Sequence, residues 1–473
     1  MTTTNPPYPR PEVLAPGGNL ANVKTAIDFG ADAVYAGGKS FGMRTASKNL
    51  SLEEFDQAVQ YAHARQARIY VTANILPDND EVEDMNHYLG QLCDIGVDAL
   101  ILTDIGMLAY AHQAFPRLEL HISTQAGVTN YQAANTLQML GASRVVLARE
   151  LSLEQVRELR RRTSPELEIE CFVHGSMCMA FSGRCLISKH LTGRDANHGD
   201  CAQSCRWKYR VEEEKRPGQF FPVEVNAHGT FLFNSEDMNM LPYLDLVIDA
   251  GVSSLKIEGR AKSGLYVAAM SNAYKAAVNE YLQQRCGVSV PAVTVSGKGA
   301  APVEVARVEA AASFVSTVTV SGTTVDPVED PLSASDRVQF SPWILEEPYK
   351  VTHRRYSTGF WLDEQPVSEN VTEAVYINEW MLLGVVTKYD PAQERLYLFS
   401  RNKIVPGQAV EFLVPGGPPI PFTMPSEGIR DWNGEAVAQI NNPAHDFSFP
   451  CPVSVPAGTM IRGRNPRQLK VFG

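Results

Sequence analysis

A short unit recurs through the first 285 residues of this 473-residue chain: a glycine-centred turn, a short apolar run and an amphipathic helical stretch. The clearest copies begin at Gly30, Gly96, Gly141 and Gly251. Glycine is favoured where a helix ends, because it adopts a positive φ without steric cost, and a short apolar run is typical of a strand that is buried on both faces. A chain that alternates buried strands with helices is restricted to an α/β fold.

Eight strands and eight helices can be counted in this part of the chain. The strands are predicted near residues 12–15, 33–36, 68–73, 99–103, 118–122, 144–148, 167–173 and 254–258. The helices are predicted near residues 19–29, 51–66, 82–95, 105–114, 130–140, 152–162, 237–249 and 263–283. Ser51 and Ser152 are predicted to begin helices with capping boxes, because Glu54 and Gln155 follow at the required spacing. The count predicts a closed (β/α)8 TIM-like barrel, with a doubly wound open sheet as the alternative.

The rest of the chain changes character. Residues 286–340 are dominated by Pro, Val, Ser, Thr and Ala with weak periodicity, whereas strand-like runs separated by turn residues appear at 383–389, 395–401 and 409–414. Closely spaced short strands of this kind indicate a small β-barrel. We therefore predict a barrel domain over 1–285, a linker and intermediate β region over 286–382, and a small C-terminal β-barrel over 383–473. Within the intermediate region, Lys350, Arg354 and Arg355 are interleaved with aromatic residues, which predicts contact with RNA.

Five of the eight cysteines fall within the 35 residues from Cys171 to Cys205. Four of them form a C-x6-C-x15-C-x3-C pattern: Cys178, Cys185, Cys201 and Cys205. Four thiolates can hold a [4Fe–4S] cluster, and soft sulfur ligands favour iron–sulfur or zinc over hard cations. Structural zinc sites usually use tighter cysteine pairs, so we predict a [4Fe–4S] cluster with zinc as the alternative. Cys171 is interpreted as a core residue of the seventh strand.

The cysteines have a definite place in the predicted fold. They lie in an insertion over 176–236 that leaves the C-terminal end of the seventh strand. Enzymes with this barrel place their chemistry at that face. The sequence therefore predicts that the cysteines lie at the mouth of the barrel.

Charge and hydropathy limit the partners. The net charge is −11, which argues against a protein that coats nucleic acid nonspecifically, although it leaves room for a local basic footprint. No apolar run approaches the length of a membrane span, and no signal peptide is visible at the first residues. The expected location is the cytoplasm, where thiols stay reduced.

Several motifs resemble peptidase family U32, the collagenase-like family. The most specific is Glu170-x-Phe172-x2-Gly175-Ser176-Met177-Cys178-x4-Gly183-x-Cys185-x2-Ser188, and the segments 14–19, 30–35 and 255–260 resemble the family's opening and closing barrel motifs. The resemblance covers residues 10–285. Bacterial members of the family are implicated in oxygen-independent hydroxylations supported by an iron–sulfur cluster, acting on a tRNA wobble uridine, a ribosomal RNA cytidine or the ubiquinone ring.

The C-terminal half distinguishes between these branches. Members of the ubiquinone pathway end soon after the barrel, whereas this chain continues through Tyr349–Phe360 and a small β-barrel. That arrangement resembles the prephenate-dependent branch that makes 5-hydroxyuridine in tRNA. The resemblance therefore implies tRNA as the partner, prephenate as the co-substrate and a [4Fe–4S] cluster as the cofactor. A collagenase-like peptidase and a non-catalytic RNA-binding module remain the alternatives.

Candidate site residues follow from position and charge. The predicted catalytic residues are Lys256, Glu258 and Arg260, which lie on or just beyond the eighth strand, and Lys and Arg are suited to a dicarboxylate such as prephenate. Alternation places Lys256 and Glu258 on the same side of the strand, so an internal ion pair is the alternative. The predicted substrate-binding residues are Arg44, Arg149, Arg206, Lys350, Arg354 and Arg355, with Asn74 and Gln125 as further candidates near strand ends. A second basic cluster, Arg462, Arg464, Arg467 and Lys470, is interpreted as a solvated tail.

Overall fold

The computed structural model describes residues 10–43, 49–178, 181, 185–207, 236–288, 337–362 and 376–466. Its first domain contains eight parallel strands that form a ring. They are β1 (Glu12–Gly17), β2 (Ala33–Gly37), β3 (Arg68–Ala73), β4 (Ala99–Leu102), β5 (Glu119–Ile122), β6 (Arg144–Val146), β7 (Glu168–Ser176) and, after the short β8 (Asp237–Asn239), β9 (Ser254–Ile257).

The ring closes through β9. This strand pairs in parallel with β1, where Leu14 lies opposite Lys256, and also with β7, where Glu170 lies opposite Ser254. Each remaining strand pairs with the next along the chain. Closure confirms the predicted (β/α)8 barrel and excludes the open sheet.

Helices follow the strands and cover the outside of the ring. They are α1 (Leu20–Asp28), α2 (Leu52–His63), α3 (Val82–Ile95), α4 (Ile105–Ala114), α5 (Tyr131–Met139), α6 (Leu153–Arg161), and, after α7 (Ile187–Thr192) in the cysteine insertion, α8 (Leu244–Asp249) and α9 (Gly264–Cys286). Both predicted capping boxes are present, at Ser51 and Ser152. None of the helices described is long and apolar enough to cross a membrane.

One predicted helix is wrong over its first half. Instead of a helix over 237–249, the chain forms β8, a 3₁₀ turn over Leu241–Tyr243, and then α8. The carboxylate of Asp237 explains the strand, because it accepts hydrogen bonds from the backbone N–H and the guanidinium of Arg354. β8 pairs antiparallel with the end of β7, which for this reason runs to Ser176 rather than to 173.

A buried charge cluster fills the N-terminal end of the barrel. The Arg144 guanidinium contacts three carboxylates, those of Glu12, Glu168 and Glu170. Glu12, Arg144 and Glu168 all come from the first residue of their strands. A charge this deeply buried needs several partners to offset its lost hydration, and Arg144 has them.

The segment 337–362 joins the barrel to the C-terminal domain. It contains α10 (Pro342–Glu346), a 3₁₀ turn over Glu347–Lys350 and β10 (Tyr356–Ser357), which pairs with β8. Most of the predicted linker, 289–336, lies outside the described residues, as does 363–375.

The C-terminal domain is a half-barrel of six antiparallel strands. They are β11 (Trp380–Asp390), β12 (Arg395–Ser400), β13 (Ala409–Leu413), β14 (Ile420–Thr423), β15 (Asp446–Pro450) and β16 (Met460–Arg464). Their order in the sheet is β14-β13-β16-β11-β12-β15. Phe412, Phe449 and Ile461 are fully buried in a core of its own. The predicted β domain is therefore present, with three strands more than the sequence indicated.

The interpretation of Arg462 as part of a solvated tail is wrong. Arg462 is 0% exposed and donates to both carboxylate oxygens of Glu347, which is also 0% exposed, and to Glu411. Arg464 lies on the surface beside Glu379. Arg467 and Lys470 lie outside the described residues. The alternating pattern of β16 explains the difference, because it points Arg462 toward the 337–362 segment.

Candidate functional site

Polar side chains surround the C-terminal mouth of the barrel. Those that are buried include Thr72, Asn74, Thr103, Ser123, Thr124 and Ser176. Asn74 accepts a hydrogen bond from the Met43 backbone and donates to the Ser123 hydroxyl, at 3.1 and 3.2 Å. These contacts fix the amide between two strand ends. The mouth is therefore lined by oriented polar groups rather than closed by apolar ones.

Lys256 lies below this mouth, inside the barrel. Its Nζ is 2.6 Å from Glu170 Oε1 and 4.5 Å from the centre of the Tyr35 ring. The Phe172 ring is also close, at 5.6 Å. Burial lowers the pKa of Lys256 from its usual value, and Glu170 opposes that shift. The sequence predicted an ion pair with Glu258 as one possibility, but the partner is Glu170.

Glu170 links Lys256 to the charge cluster at the barrel floor. Its second oxygen accepts from Arg144 and from the Ser254 hydroxyl, at 3.1 and 3.2 Å. Burial alone would raise the pKa of Glu170, but Lys256 and Arg144 hold it below its usual value. One carboxylate therefore lies between two cations, and with Glu12 and Glu168, which also contact Arg144, the cluster holds three carboxylates and two cations.

Arg149 connects the barrel mouth to the cysteine insertion. Its Nη1 donates to the Ser176 carbonyl at 3.1 Å and lies 3.9 Å from the Cys178 sulfur. Its guanidinium also lies 4.0 Å from the centre of the Phe172 ring. Phe172 therefore has Arg149 on one side and Lys256 near it, which places two cations around one aromatic ring.

The cysteine insertion is held together by short-range contacts. Asn197 donates to the Cys185 carbonyl at 3.1 Å, and the Ala202 N–H donates to the Ser188 hydroxyl at 2.9 Å. The Gln203 N–H lies 3.3 Å from the Cys201 sulfur. Cys178 and Cys201 are exposed, and Cys185 and Cys205 are half-buried. None of the four forms a disulfide, and all belong to the segment that follows β7.

The spacing of these thiols tests which metal group they suit. Among the described residues, no three cysteine sulfurs lie within 4.8 Å of one another. Sulfurs around a tetrahedral zinc would be about 3.8 Å apart, given a Zn–S bond of about 2.3 Å. In a [4Fe–4S] cluster each thiolate binds a different iron, so the ligands are spread more widely. The donor set fits the cluster, and its N–H···S contacts are of the kind that tune one.

Arg260 and Glu258 lie on the loop that follows β9. The Arg260 guanidinium donates to the Met43 carbonyl, Thr72 Oγ1 and Asn49 Oδ1 at 2.6–3.3 Å. A Cβ on Gly37 would lie only 1.9 Å from Arg260 Nη2, so glycine is required there. Arg260 thus braces the loops after β2 and β3. Glu258 is buried nearby, and its backbone carbonyl accepts from the Tyr266 hydroxyl. Catalytic roles for both stay predictions.

The predicted RNA-contact residues differ in their surroundings. Lys350 lies 3.0 Å from Glu411, and Arg354 is buried with its guanidinium on Asp237 at 2.7 Å. Both cations are therefore engaged by carboxylates of this chain, which leaves only Arg355 exposed. Arg44 lies outside the described residues, as does the side chain of Arg206, whose backbone ends a 3₁₀ turn. Gln125 is half-buried in the turn after β5.

Sequence reasoning missed the partners of these cations. Glu170, Arg144 and Asp237 were not predicted to form buried ion pairs. A signal was present for Glu170, because Glu168 and Glu170 alternate within an otherwise apolar strand, which is unusual for a strand buried on both faces. No comparable signal marked Asp237, whose partner is 117 residues away.

Comparison with known proteins agrees with this architecture. The model of peptidase family U32 matches residues 18–298, and that of the peptidase family U32 C-terminal domain matches 378–462. The tRNA hydroxylation protein P1 of Bacillus subtilis (strain 168) is 31% identical over 459 residues, which cover 96% of this chain and 94% of that protein. The tRNA hydroxylation protein P of Escherichia coli (strain K12) is 35% identical over 310 residues, which cover 57% of this chain and 68% of that protein.

A third relative is named for ribosomal RNA instead of tRNA. The 23S rRNA 5-hydroxycytidine synthase of Escherichia coli (strain K12) is 38% identical over 276 residues, which cover 58% of this chain but 40% of that protein. The similarity in all three cases includes a large part of the chain, and the family model covers the barrel together with its cysteine insertion. The chain therefore belongs to peptidase family U32.

Proposed function

We propose that this protein hydroxylates an RNA base, and specifically that it converts the wobble uridine of tRNA to 5-hydroxyuridine. The observation that carries the proposal is the match to a protein named for tRNA hydroxylation over 96% of this chain and 94% of that relative, through the barrel and the C-terminal domain alike. The barrel mouth supplies a site for the chemistry, since Arg149 there lies beside Cys178, the first of the four candidate ligands.

Cys178, Cys185, Cys201 and Cys205 would hold a [4Fe–4S] cluster, which supplies one-electron transfer when bound. The presence of four cysteines in one segment, with no disulfide among them, supports this ligand set. Arg149 places a positive charge beside the Cys178 sulfur, with its Nη1 3.9 Å away. The protein's own contribution is thus to place four thiolates directly above the strand ends.

Prephenate is the proposed co-substrate, and the pocket suits its two carboxylates. Lys256 and Arg149 flank the Phe172 ring, so one aromatic surface is accompanied by two cations. Arg can bind a carboxylate with two parallel hydrogen bonds, and a buried Lys provides a compact charge. Lys256 is already paired with Glu170, so Arg149, which contacts a carbonyl and a sulfur, is the cation better placed to bind a carboxylate of the co-substrate.

Ribosomal RNA is the second candidate substrate. The chain is 38% identical to a 5-hydroxycytidine synthase over 276 residues. That similarity covers 40% of the synthase, however, whereas the match to the tRNA-named relative spans nearly its whole length. The length of the match favours tRNA.

Nucleoside mass spectrometry of a deletion strain tests the proposal. Loss of the gene should remove 5-hydroxyuridine and its derivatives from tRNA digests, and the intact gene should restore them. Purified protein with its cluster should then hydroxylate undermodified tRNA in the presence of prephenate and fail without it. Loss of 5-hydroxycytidine from ribosomal RNA, with normal tRNA, would establish the second candidate instead. Unchanged profiles of both RNAs would remove the proposed activity, and collagen cleavage by the purified protein would then point to a peptidase.

A further inference from the structure

One strand of the C-terminal sheet carries an alternating row of cations and aromatic rings on its outer side. Leu396 and Leu398 of β12 point into the domain core, so Arg395, Tyr397 and Phe399 point outward, followed by Arg401. The row spans six residue steps, or about 20 Å of extended strand. We call this surface, together with Lys388 and Arg430 beside it, the β12 face.

Cations and rings on the β12 face contact one another directly. Lys388 lies opposite Tyr397 in the sheet, and its Nζ is 4.2 Å from the centre of that ring. The Arg401 guanidinium is 4.9 Å from the centre of the Phe399 ring. Each ring is therefore held beside a cation and keeps its position as a flat, partly exposed platform.

The cations on the β12 face form no ion pairs with the described residues. In the described part of the chain, Lys388, Arg395, Arg401 and Arg430 have no carboxylate within ion-pair distance. Arg395 instead donates to neutral acceptors, the Ser448 hydroxyl and the Gly428 carbonyl. Burial and the nearby Arg430 both lower the pKa of Arg395, as expected where two cations lie close together.

Two acidic residues share the face and reduce its charge only in part. Asp390 lies opposite Arg395, but its carboxylate accepts hydrogen bonds from the Ala392 and Gln393 backbones. Asp446 lies opposite Phe399. The face thus holds four cations and two carboxylates, and Glu394 and Asp431 lie next to it in the chain, beside Arg395 and Arg430.

This pattern contrasts with the other cations of the C-terminal half. Lys350, Arg354 and Arg462 each contact a carboxylate of their own chain, which satisfies their charge internally. A cation already paired in this way gains little from a phosphate. The β12 face is thus better suited to an external anion than the segment that the sequence indicated.

The β12 face also lies near the catalytic end of the barrel. Val385 of β11, opposite Phe399, packs against the barrel's hydrophobic core. Its other neighbour, Met460, has its methyl group 3.8 Å from the position of a Cβ on Gly264. Gly264 begins α9 directly after the loop that carries Glu258 and Arg260. A chain bound on this face can therefore continue toward the mouth.

We infer that the β12 face binds a single-stranded segment of the RNA substrate, with phosphates on the cations and unpaired bases stacked on Tyr397 and Phe399. Cations beside aromatic platforms are the features by which proteins bind single-stranded nucleic acid. The inference rests on the proposed function, in that the substrate is an RNA. It assigns the C-terminal domain the task of presenting that RNA to the barrel.

Binding of an unmodified tRNA transcript to the full-length protein, measured by fluorescence anisotropy at several salt concentrations, tests this inference. The double variant Lys388→Gln/Arg401→Gln removes two phosphate contacts, so the slope of log K against log salt should become shallower by about 1.4. Tyr397→Ala should raise Kd by about 5- to 100-fold through lost stacking, and Tyr397→Phe should restore it.

Arg464→Gln is the matched control, because Arg464 belongs to the same sheet but is paired with Glu379. It should leave both Kd and the salt slope unchanged, and thermal unfolding should confirm that all variants are folded. Wild-type affinity and slope in the double variant and in Tyr397→Ala would overturn the inference, as would equal losses in Arg464→Gln. If the β12 face instead binds an acidic protein, the variants should bind RNA as the wild type does.

The two hypotheses fail in different ways. If deletion of the gene removes 5-hydroxyuridine while the variants bind tRNA normally, the β12 face is wrong and the proposed function stands. If the variants weaken RNA binding but the deletion leaves tRNA nucleosides unchanged, the β12 face binds RNA and the proposed tRNA reaction is wrong.

Discussion

Lys256 and Glu170 form an ion pair inside the barrel, with Nζ and Oε1 2.6 Å apart and the two residues 4% and 0% exposed. They come from β9 and β7, the two strands whose pairing helps to close the ring. The pair therefore joins the closure of the barrel to the floor of the candidate site. Any change at either residue acts on stability and on the pocket together.

Removing one member of this pair should be strongly destabilising. Lys256→Met leaves Glu170 with only Arg144 as a cationic partner, and a buried pair broken on one side typically costs about 3–5 kcal/mol. Glu170→Gln should cost a similar amount. Urea unfolding of the two single variants and the double variant measures the coupling, which should reach at least about 1 kcal/mol. Additive effects of the two changes would show that the pair is not an energetic unit.

Substituting one of the four predicted cysteine ligands should remove bound iron, whereas substituting another cysteine should not. Cys201→Ala should abolish the brown colour and reduce the iron content of anaerobically purified protein, because one of four thiolates is lost. Cys286→Ala is the control, since Cys286 lies at the end of α9, outside the insertion. It should keep wild-type iron and sulfide. If the wild-type protein is colourless and contains one zinc per chain, the four cysteines bind zinc rather than an iron–sulfur cluster.

Arg149 should tune the metal group without being one of its ligands. Arg149→Gln removes a positive charge and an N–H donor beside Cys178, so the reduction potential of the bound cluster should fall. Loss of such a partner typically lowers activity about 10- to 100-fold. Arg157→Gln, which alters an exposed pair on α6, is the control. A redox titration followed by electron paramagnetic resonance gives the potential, and an unchanged value would exclude this role.

The sequence predicted the barrel well because its signals are local. Each glycine-centred turn and each capping serine acts over a few residues, and the strand and helix positions follow from them. The register that closes β9 onto β1 and β7 is a long-range property, so the sequence left the open sheet as an alternative. The error at 237–249 has the same cause, because Asp237 is held in a strand by Arg354, 117 residues later.

The candidate site was predictable to a similar extent. The four cysteines and Arg149 could be placed at the mouth from strand order alone. The pairing of the cations could not, because a run such as Lys350–Arg355 has the same composition whether its charges face RNA or internal carboxylates. The structure separates the two cases: Arg354 is buried on Asp237, whereas Arg401 faces outward without a carboxylate partner among the described residues.

Arg462 should hold the C-terminal domain against the rest of the chain. Arg462→Met leaves the buried Glu347 without its cation, so the free energy of unfolding should fall by about 3–5 kcal/mol. Arg464→Met, two residues later on the same strand, breaks only a surface pair and should cost at most about 1 kcal/mol. Urea unfolding gives both values. Equal losses in the two variants would mean that burial of the Arg462 pair is unimportant.

His174 should make the protein less stable in acid. It is fully buried among Tyr266, Tyr274 and Tyr356, and burial lowers its pKa from 6.5 to about 3. Between these values the unfolded chain binds a proton that the folded chain does not, so the free energy of unfolding falls as pH decreases below about 6.5. One such proton contributes up to about 1.4 kcal/mol per pH unit.

His174→Phe should remove that contribution and make the pH dependence shallower by the same amount. The Tyr274 hydroxyl remains satisfied in the variant, because it also donates to the Val173 carbonyl at 2.8 Å. His87→Gln, at an exposed position on α3, is the control and should keep the wild-type slope. Urea unfolding at pH 5, 6 and 7 supplies the slopes. A His174→Phe slope equal to that of the wild type would show that the buried imidazole takes up its proton without unfolding, and that the ring cluster around it opens to admit the charge.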